Sequence, residues 1–97
     1  MAFKPNFTDA HLAGDTVVVS GASSPEPAGD IVDIRVVLAQ GERVDRGVVA
    51  VVGENWNVHI PAGGFVAGTA TAFGVETRRE HSTTITWAEQ VDILAPG

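Results

Sequence analysis

The sequence predicts an all-β domain, an antiparallel β-sandwich of about seven strands, and three observations carry that reading. Short runs in which apolar and polar side chains alternate with period two recur along the chain, most plainly at Trp56-Asn57-Val58-His59-Ile60-Pro61. Glycine- and proline-bearing turns separate these runs at regular intervals. No stretch places apolar residues at the three- and four-residue spacing of an amphipathic helix.

Along the chain, residues 2–12 read either as an edge strand or as an arm reaching a neighbouring subunit. Thr16-Val17-Val18-Val19-Ser20 is rich in β-branched residues and bracketed by Gly14-Asp15 and Gly21, as a short strand is. Ser23-Ser24-Pro25-Glu26-Pro27-Ala28-Gly29 reads as a stiff surface loop, because its prolines cannot donate to a ladder and hold their neighbours extended. From Ile31 to Ala39, Val32, Ile34, Val36 and Leu38 share one face, and Ile31, Asp33, Arg35 and Val37 share the other, the pattern of a central strand partly covered on both sides. Gln40-Gly41-Glu42 makes the turn into Val44–Val52, where the run Gly47-Val48-Val49-Ala50-Val51-Val52 leaves the inward face open. Gly53-Glu54-Asn55 leads to the tryptophan strand, which Pro61 ends because proline has no amide hydrogen.

After Ala62-Gly63-Gly64, the strand Thr69–Glu76 sets Ala70, Ala72 and Gly74 against Thr69, Thr71, Phe73 and Val75. If the Trp56 indole fills the core opposite, close packing turns the small face inward and exposes Phe73 and Val75. The last strand, Thr83–Leu94, puts Ile85, Trp87, Val91 and Ile93 in phase, with Glu89 on the same apolar face. Burying a lone carboxylate is costly, so a β-bulge near Ala88-Glu89-Gln90 is expected to turn Glu89 outward. The predicted core is Val17, Val19, Val32, Ile34, Val36, Leu38, Trp56, Val58, Ile60, Ile85, Trp87, Val91 and Ile93.

In sequence order, Gly14-Asp15-Thr16-Val17-Val18-Val19-Ser20-Gly21-Ala22, Gly53-Glu54-Asn55-Trp56-Asn57-Val58-His59-Ile60-Pro61-Ala62 and Gly68-Thr69-Ala70-Thr71-Ala72 resemble the bacterial immunoglobulin-like (Big-type) domain family over residues 14–94. The resemblance implies an immunoglobulin-like sandwich used as a spacer, adhesive module or assembly surface, with no active site. It divides the chain into an N-terminal arm or edge strand (1–13), the sandwich (14–94) and a short tail (95–97).

The 97 residues suffice for one domain with a thin core, and a 44% hydrophobic, 19% charged composition is that of a folded protein. Twelve acidic against six basic residues, a formal charge of −6, disfavour nucleic acid and anionic membranes as partners. Without cysteine there is no disulfide, thiolate metal site or thiol nucleophile. No apolar run approaches the ~20 residues that span a bilayer, and Met1–Asn6 lacks the apolar core of a secretion signal. Asn6-Phe7-Thr8 fits a glycosylation acceptor, a pattern frequent by chance.

No constellation of reactive groups stands out. His11, His59 and His81 have no metal-ligand spacing, and Ser20, Ser23, Ser24 and Ser82 lie outside any nucleophile-elbow motif. The pairs Glu76 with Glu80 and Asp30 with Asp33, and the loop Arg78-Arg79-Glu80-His81, read as solvated charge. Asp9, Asp15 and Asp92 would be the calcium ligands if they met at one end of the sandwich, though no EF-hand spacing supports that. No catalytic residue, metal or cofactor is therefore assigned. Alternation turns Trp56 and Trp87 into the core; facing outward, they would stack on sugars instead. The stripe Thr69, Thr71, Phe73 and Val75 is read as a partner-contact patch. The expected function is a non-enzymatic structural module making protein contacts or self-associating in a larger assembly, a phage virion (decoration or tail accessory) or a bacterial surface structure. The absence of a signal favours the virion. The alternative is a carbohydrate-binding accessory module of an extracellular bacterial protein.

Overall fold

Seven strands follow one another in the computed structural model, which describes residues 6–22, 29–52, 55–80 and 83–96: β1 (Asn6–Ala13), β2 (Thr16–Ala22), β3 (Val32–Gln40), β4 (Arg43–Val51), β5 (Asn55–Pro61), β6 (Gly68–Arg78) and β7 (Thr83–Ile93). The proline-rich loop at 23–28 and the expected turn residues Gly53 and Glu54 lie outside the described residues. The strands form two antiparallel sheets, one ordered β1-β2-β5 and the other β4-β3-β6-β7.

The sheets face each other because each strand's apolar set falls on one side. In β5, Trp56, Val58 and Ile60 are buried while Asn55, Asn57, His59 and Pro61 are exposed. Val17 and Val19 on β2, and Val32, Ile34, Val36 and Leu38 on β3, close the core with Trp87 and Ile93 on β7. Of the predicted core residues, Ile85 and Val91 are only half-buried. Val91 packs against the rim of the core. Ile85 pairs with Glu76 near the end of the β6–β7 ladder.

Residues 6–13 form a strand, antiparallel to β2. A bulge leaves Thr8 without a partner, since Phe7 opposes Gly21 and Asp9 opposes Ser20. This extra residue turns Phe7 inward, where its ring meets Trp56 edge-on (centroids 5.8 Å apart, planes at 85°) and Trp87 at 5.4 Å. At its other end β1 crosses to the second sheet: the Leu12 amide donates to the Leu94 carbonyl, and the Leu94 amide donates to that of Ala10.

The bulge expected in β7 is absent. β6 and β7 pair without interruption from Gly68 with Ile93 to Arg78 with Thr83, so Glu89 keeps its inward phase. It is tolerated there because it lies at the rim, half-exposed, and its Oε1 accepts the Phe7 backbone amide at 2.8 Å. The carboxylate thus supplies the hydrogen bond that the bulged end of β1 does not obtain from a neighbouring strand.

On β6, Ala70, Ala72 and Gly74 point inward and Phe73 is 47% exposed. The indole that demands the small face is that of Trp87, the cross-strand neighbour of Gly74, and not that of Trp56. A Cβ on Gly74 would come well inside 3.0 Å of three Trp87 ring atoms. Along the opposite side of the sandwich, Gly47 similarly lets β4 lie against Val58 and the His59 carbonyl of β5.

Candidate interaction surface

The four-stranded sheet turns one face to the core and the other to solvent, and the register fixes which residues meet on the solvent side. One row across β4, β3, β6 and β7 reads Arg46, Val37, Phe73, Ala88, and the next reads Val48, Arg35, Val75, Thr86. Directly opposed side chains on one face have Cβ atoms about 4.5–5.5 Å apart, so Phe73 adjoins Val37, with Val75 two residues along β6, while Arg35 stands between Val75 and Val48. Val44 and Val48 are 59% and 67% exposed. The previously undecided phase of β4 is thereby settled, with Val44, Arg46, Val48 and Ala50 outward and Val49 and Val51 against the core.

Two hollows flank this patch. One, of about 280 Å³, is lined by Val37, Val44, Asp45 and Arg46. The other, of about 530 Å³, includes Asp33, Arg35, Val48, Ala50 and Arg79. Between Arg79 and Asp33 run two parallel bonds of 2.8 Å, Nε to Oδ2 and Nη2 to Oδ1, across part-exposed side chains. Those bonds hold the Asp33 carboxyl below its ordinary pKa of 3.8 against the opposing cost of burial, with the nearby charges of Arg79 and then Arg35 adding to the lowering. Thr69, Thr71, Phe73 and Val75 thus share one face, but only Thr69 and Phe73 are well exposed; Thr71 and Val75 are half-covered by their neighbours.

The outer face of the three-stranded sheet is polar by contrast. Asp9, Ser20 and Asn57 form one row and His11, Val18 and His59 the next. His11 Nδ1 lies 2.6 Å from Asp9 Oδ2, and since a carboxylate only accepts, the ring donates there. Asp9 is thus engaged with His11, while Asp92 accepts from the Thr69 hydroxyl; Asp9, Asp15 and Asp92 do not form a calcium cage. Among the described residues no group of three or more potential ligands is placed to hold a metal ion. Ser23, Ser24, His81 and Ser82 lie outside those residues.

Two sequence readings of solvated charge are corrected. Glu76 and Arg78 are 1% and 4% exposed, Arg78 Nη2 being 3.4 Å from Glu76 Oε1, because both follow Ala72 and Gly74 on the inward phase of β6. Asp30 is also buried, and its Oδ1 accepts the Glu80 amide. Phe65, which alternation does not reach because it lies in the β5–β6 connection, is buried at 6% exposure beneath the Arg43 guanidinium, 5.4 Å from the ring centroid. The lone aromatic after Ala62-Gly63-Gly64 was its only signal in the sequence.

Trp56 and Trp87 are 3% and 5% exposed, with ring centroids 6.4 Å apart. Neither presents an indole face on which a sugar would stack. Compared with known proteins, the chain matches no family model, no characterised protein and no solved structure.

Proposed function

We propose that this chain is a non-enzymatic, immunoglobulin-like structural module that makes protein contacts through the outer face of β4-β3-β6-β7 within a larger assembly, a phage virion or a bacterial surface structure. The observation that carries the reading is the apolar cluster of Phe73, Val37 and Val75 on that face, with Val44 and Val48 more than half exposed farther out on β4. Scattered exposed apolar residues are ordinary, whereas a contiguous patch rimmed by polar groups marks an interaction surface. The two-sheet strand order supports the immunoglobulin-like assignment: β2 and β5 pair in one sheet and β3, β6 and β7 in the other, as strands B and E, and C, F and G, do in that fold. The fourth strand sits beside β3 rather than in the first sheet, as strand C′ does in the variable-type variant. The inward tryptophans remove the stacking on which the carbohydrate alternative relied.

Cosedimentation with assembled particles or tails from its source tests the proposal, using the chain and Phe73→Ser. Binding by the chain and its loss in the variant, with circular dichroism and melting temperature retained, is the expected result. Equal binding of both would move the contact to another face, and no binding by either would remove the virion reading.

A further inference from the structure

We infer that the β3–β4 part of this face receives an acidic extended segment of a different protein, with Arg35 and Arg46 as the residues that take its carboxylates. The inference rests on the reading of the face as a protein-contact surface and specifies the partner's chemistry. Three of the five described arginines are paired: Arg43 with Asp45, Arg78 with Glu76 and Arg79 with Asp33. Arg35 and Arg46 have no ion-pair partner among the described residues, and both are exposed. Asp33, close enough to feel the charge of Arg35, is occupied by the fork of Arg79.

The register puts these two arginines on a diagonal, Arg35 opposite Val48 and Arg46 opposite Val37. Diagonal neighbours on an antiparallel pair stand roughly 7–8 Å apart. Alternate side chains on one face of an extended strand are separated by about 6.4–6.8 Å, so two acidic residues at positions i and i+2 match the two guanidinium groups. The hollow lined by Val37, Val44 and Asp45 lies beside Arg46 and that lined by Val48, Ala50, Asp33 and Arg79 beside Arg35, giving the residues at i−2 and i+4 partly apolar places to sit. Covering an unpaired guanidinium with a purely apolar surface would strip its hydration without replacement, whereas a carboxylate meets its fork through two parallel bonds.

A second copy does not supply those groups. Stacking two copies with β4 over β4 sets arginine against arginine. With β4 over β7, Arg46 meets the level of Ala88, flanked by Thr86 and Gln90, all uncharged. The carboxylates of the face are Asp33, held by Arg79, Asp45, which lines the hollow beside Arg46 and is held by Arg43, and Asp92, which accepts from Thr69 near the far edge. The face is therefore not self-complementary, as a two-fold interface must be.

The test titrates the capped peptide Leu-Thr-Glu-Thr-Glu-Thr-Leu, and its Gln-for-Glu and Lys-for-Glu counterparts, into the ¹⁵N-labelled chain, following amide shifts. Saturable shifts on β3, β4 and the centre of β6 with the Glu peptide, about tenfold weaker binding of the Gln peptide, and a preference of Arg35→Glu/Arg46→Glu for the Lys peptide are expected. Both arginines are exposed, so the double variant retains the fold, verified by its unshifted core amides. Equal binding of the Glu and Gln peptides at this face overturns the acidic partner but leaves the contact surface standing. Shifts on another face, or none with any peptide, overturn both. Light scattering of the chain alone should give a monomer; a dimer abolished by Phe73→Ser would overturn the inference in favour of a second copy. Saturable binding of a duplex DNA oligomer at Arg35 and Arg46, competing with the Glu peptide, would overturn it in favour of nucleic acid.

Discussion

Gly74→Ala sets two well-understood effects against each other. Glycine in a strand interior costs about 0.5–1 kcal/mol relative to alanine, so on backbone grounds the substitution stabilises. Packing says the opposite. The new methyl would fall well inside 3.0 Å of the Cζ2, Cε2 and Cη2 atoms of Trp87, whereas ordinary contacts begin near 3.4 Å. The indole cannot retreat freely, because the Phe7 ring centroid is 5.4 Å away on one side and that of Trp56 6.4 Å away on another. Overpacking a filled core costs about 1–3 kcal/mol, and three close ring atoms place this case at the upper end. Net of the backbone gain, about 2 kcal/mol of stability should be lost, and at roughly 4–8 °C per kcal/mol for a domain of this size the melting temperature should fall by about 8–16 °C. Thermal unfolding followed by tryptophan fluorescence reads this directly. In a Trp87→Leu background the same substitution should be neutral or stabilising, since the two residues are coupled only through the ring. A melting temperature unchanged or raised by Gly74→Ala alone would refute the inward assignment of the small face of β6.

Glu89→Ala should cost about 1–3 kcal/mol by orphaning the Phe7 amide, while Glu89→Gln, which keeps an acceptor oxygen, should cost little; urea denaturation separates them. Gly47→Ala should also destabilise, by about 1–3 kcal/mol, because its methyl meets the backbone carbonyl of His59, which moves less readily than a side chain; β4 and β5 amide exchange should rise. Arg79→Ala should lower stability only slightly, because solvent screens an exposed pair. Because Asp33 has a folded pKa below its ordinary 3.8, that contribution is fully present above about pH 4 and disappears as the pH falls through the lowered value. The gap in stability between the chain and Arg79→Ala should therefore hold at neutral pH and close in acid.

What the sequence made legible follows from how one-sided each residue's surroundings are. β5 has an apolar side and a wet side, and its alternation announced both Trp56 and His59 correctly placed. β4 is an edge strand whose outward positions carry Val44 and Val48, so its apolar residues lost their value as markers of the core. Glu89 misled because the inner face is not uniformly dry: the end of β1 brings an unpaired amide to the rim, and that partner lies 82 positions away in the chain. Glu76 and Arg78 are in phase with Ala72 and Gly74, so alternation alone points them inward, against the general preference of charge for solvent. Arg35 and Arg46 became neighbours only through the β3–β4 register, which a pattern within either strand does not contain.

The position of Phe73 joins core and surface. Trp87, Trp56 and Phe7 occupy one region of the interior, so the β6 residues facing them must be small. Since successive side chains alternate, fixing Gly74 inward fixes Phe73 outward, and a one-residue slip would drive Phe73 toward the Trp87 indole. Packing therefore explains why position 73 is exposed, but not why a phenylalanine occupies it. Thr69 and Thr77, on the same stripe, are polar, as outward strand positions ordinarily are. The core does not require apolar side chains at Val37, Val44, Val48, Phe73 and Val75, with two arginines lacking ion-pair partners among them; the proposed covering partner would.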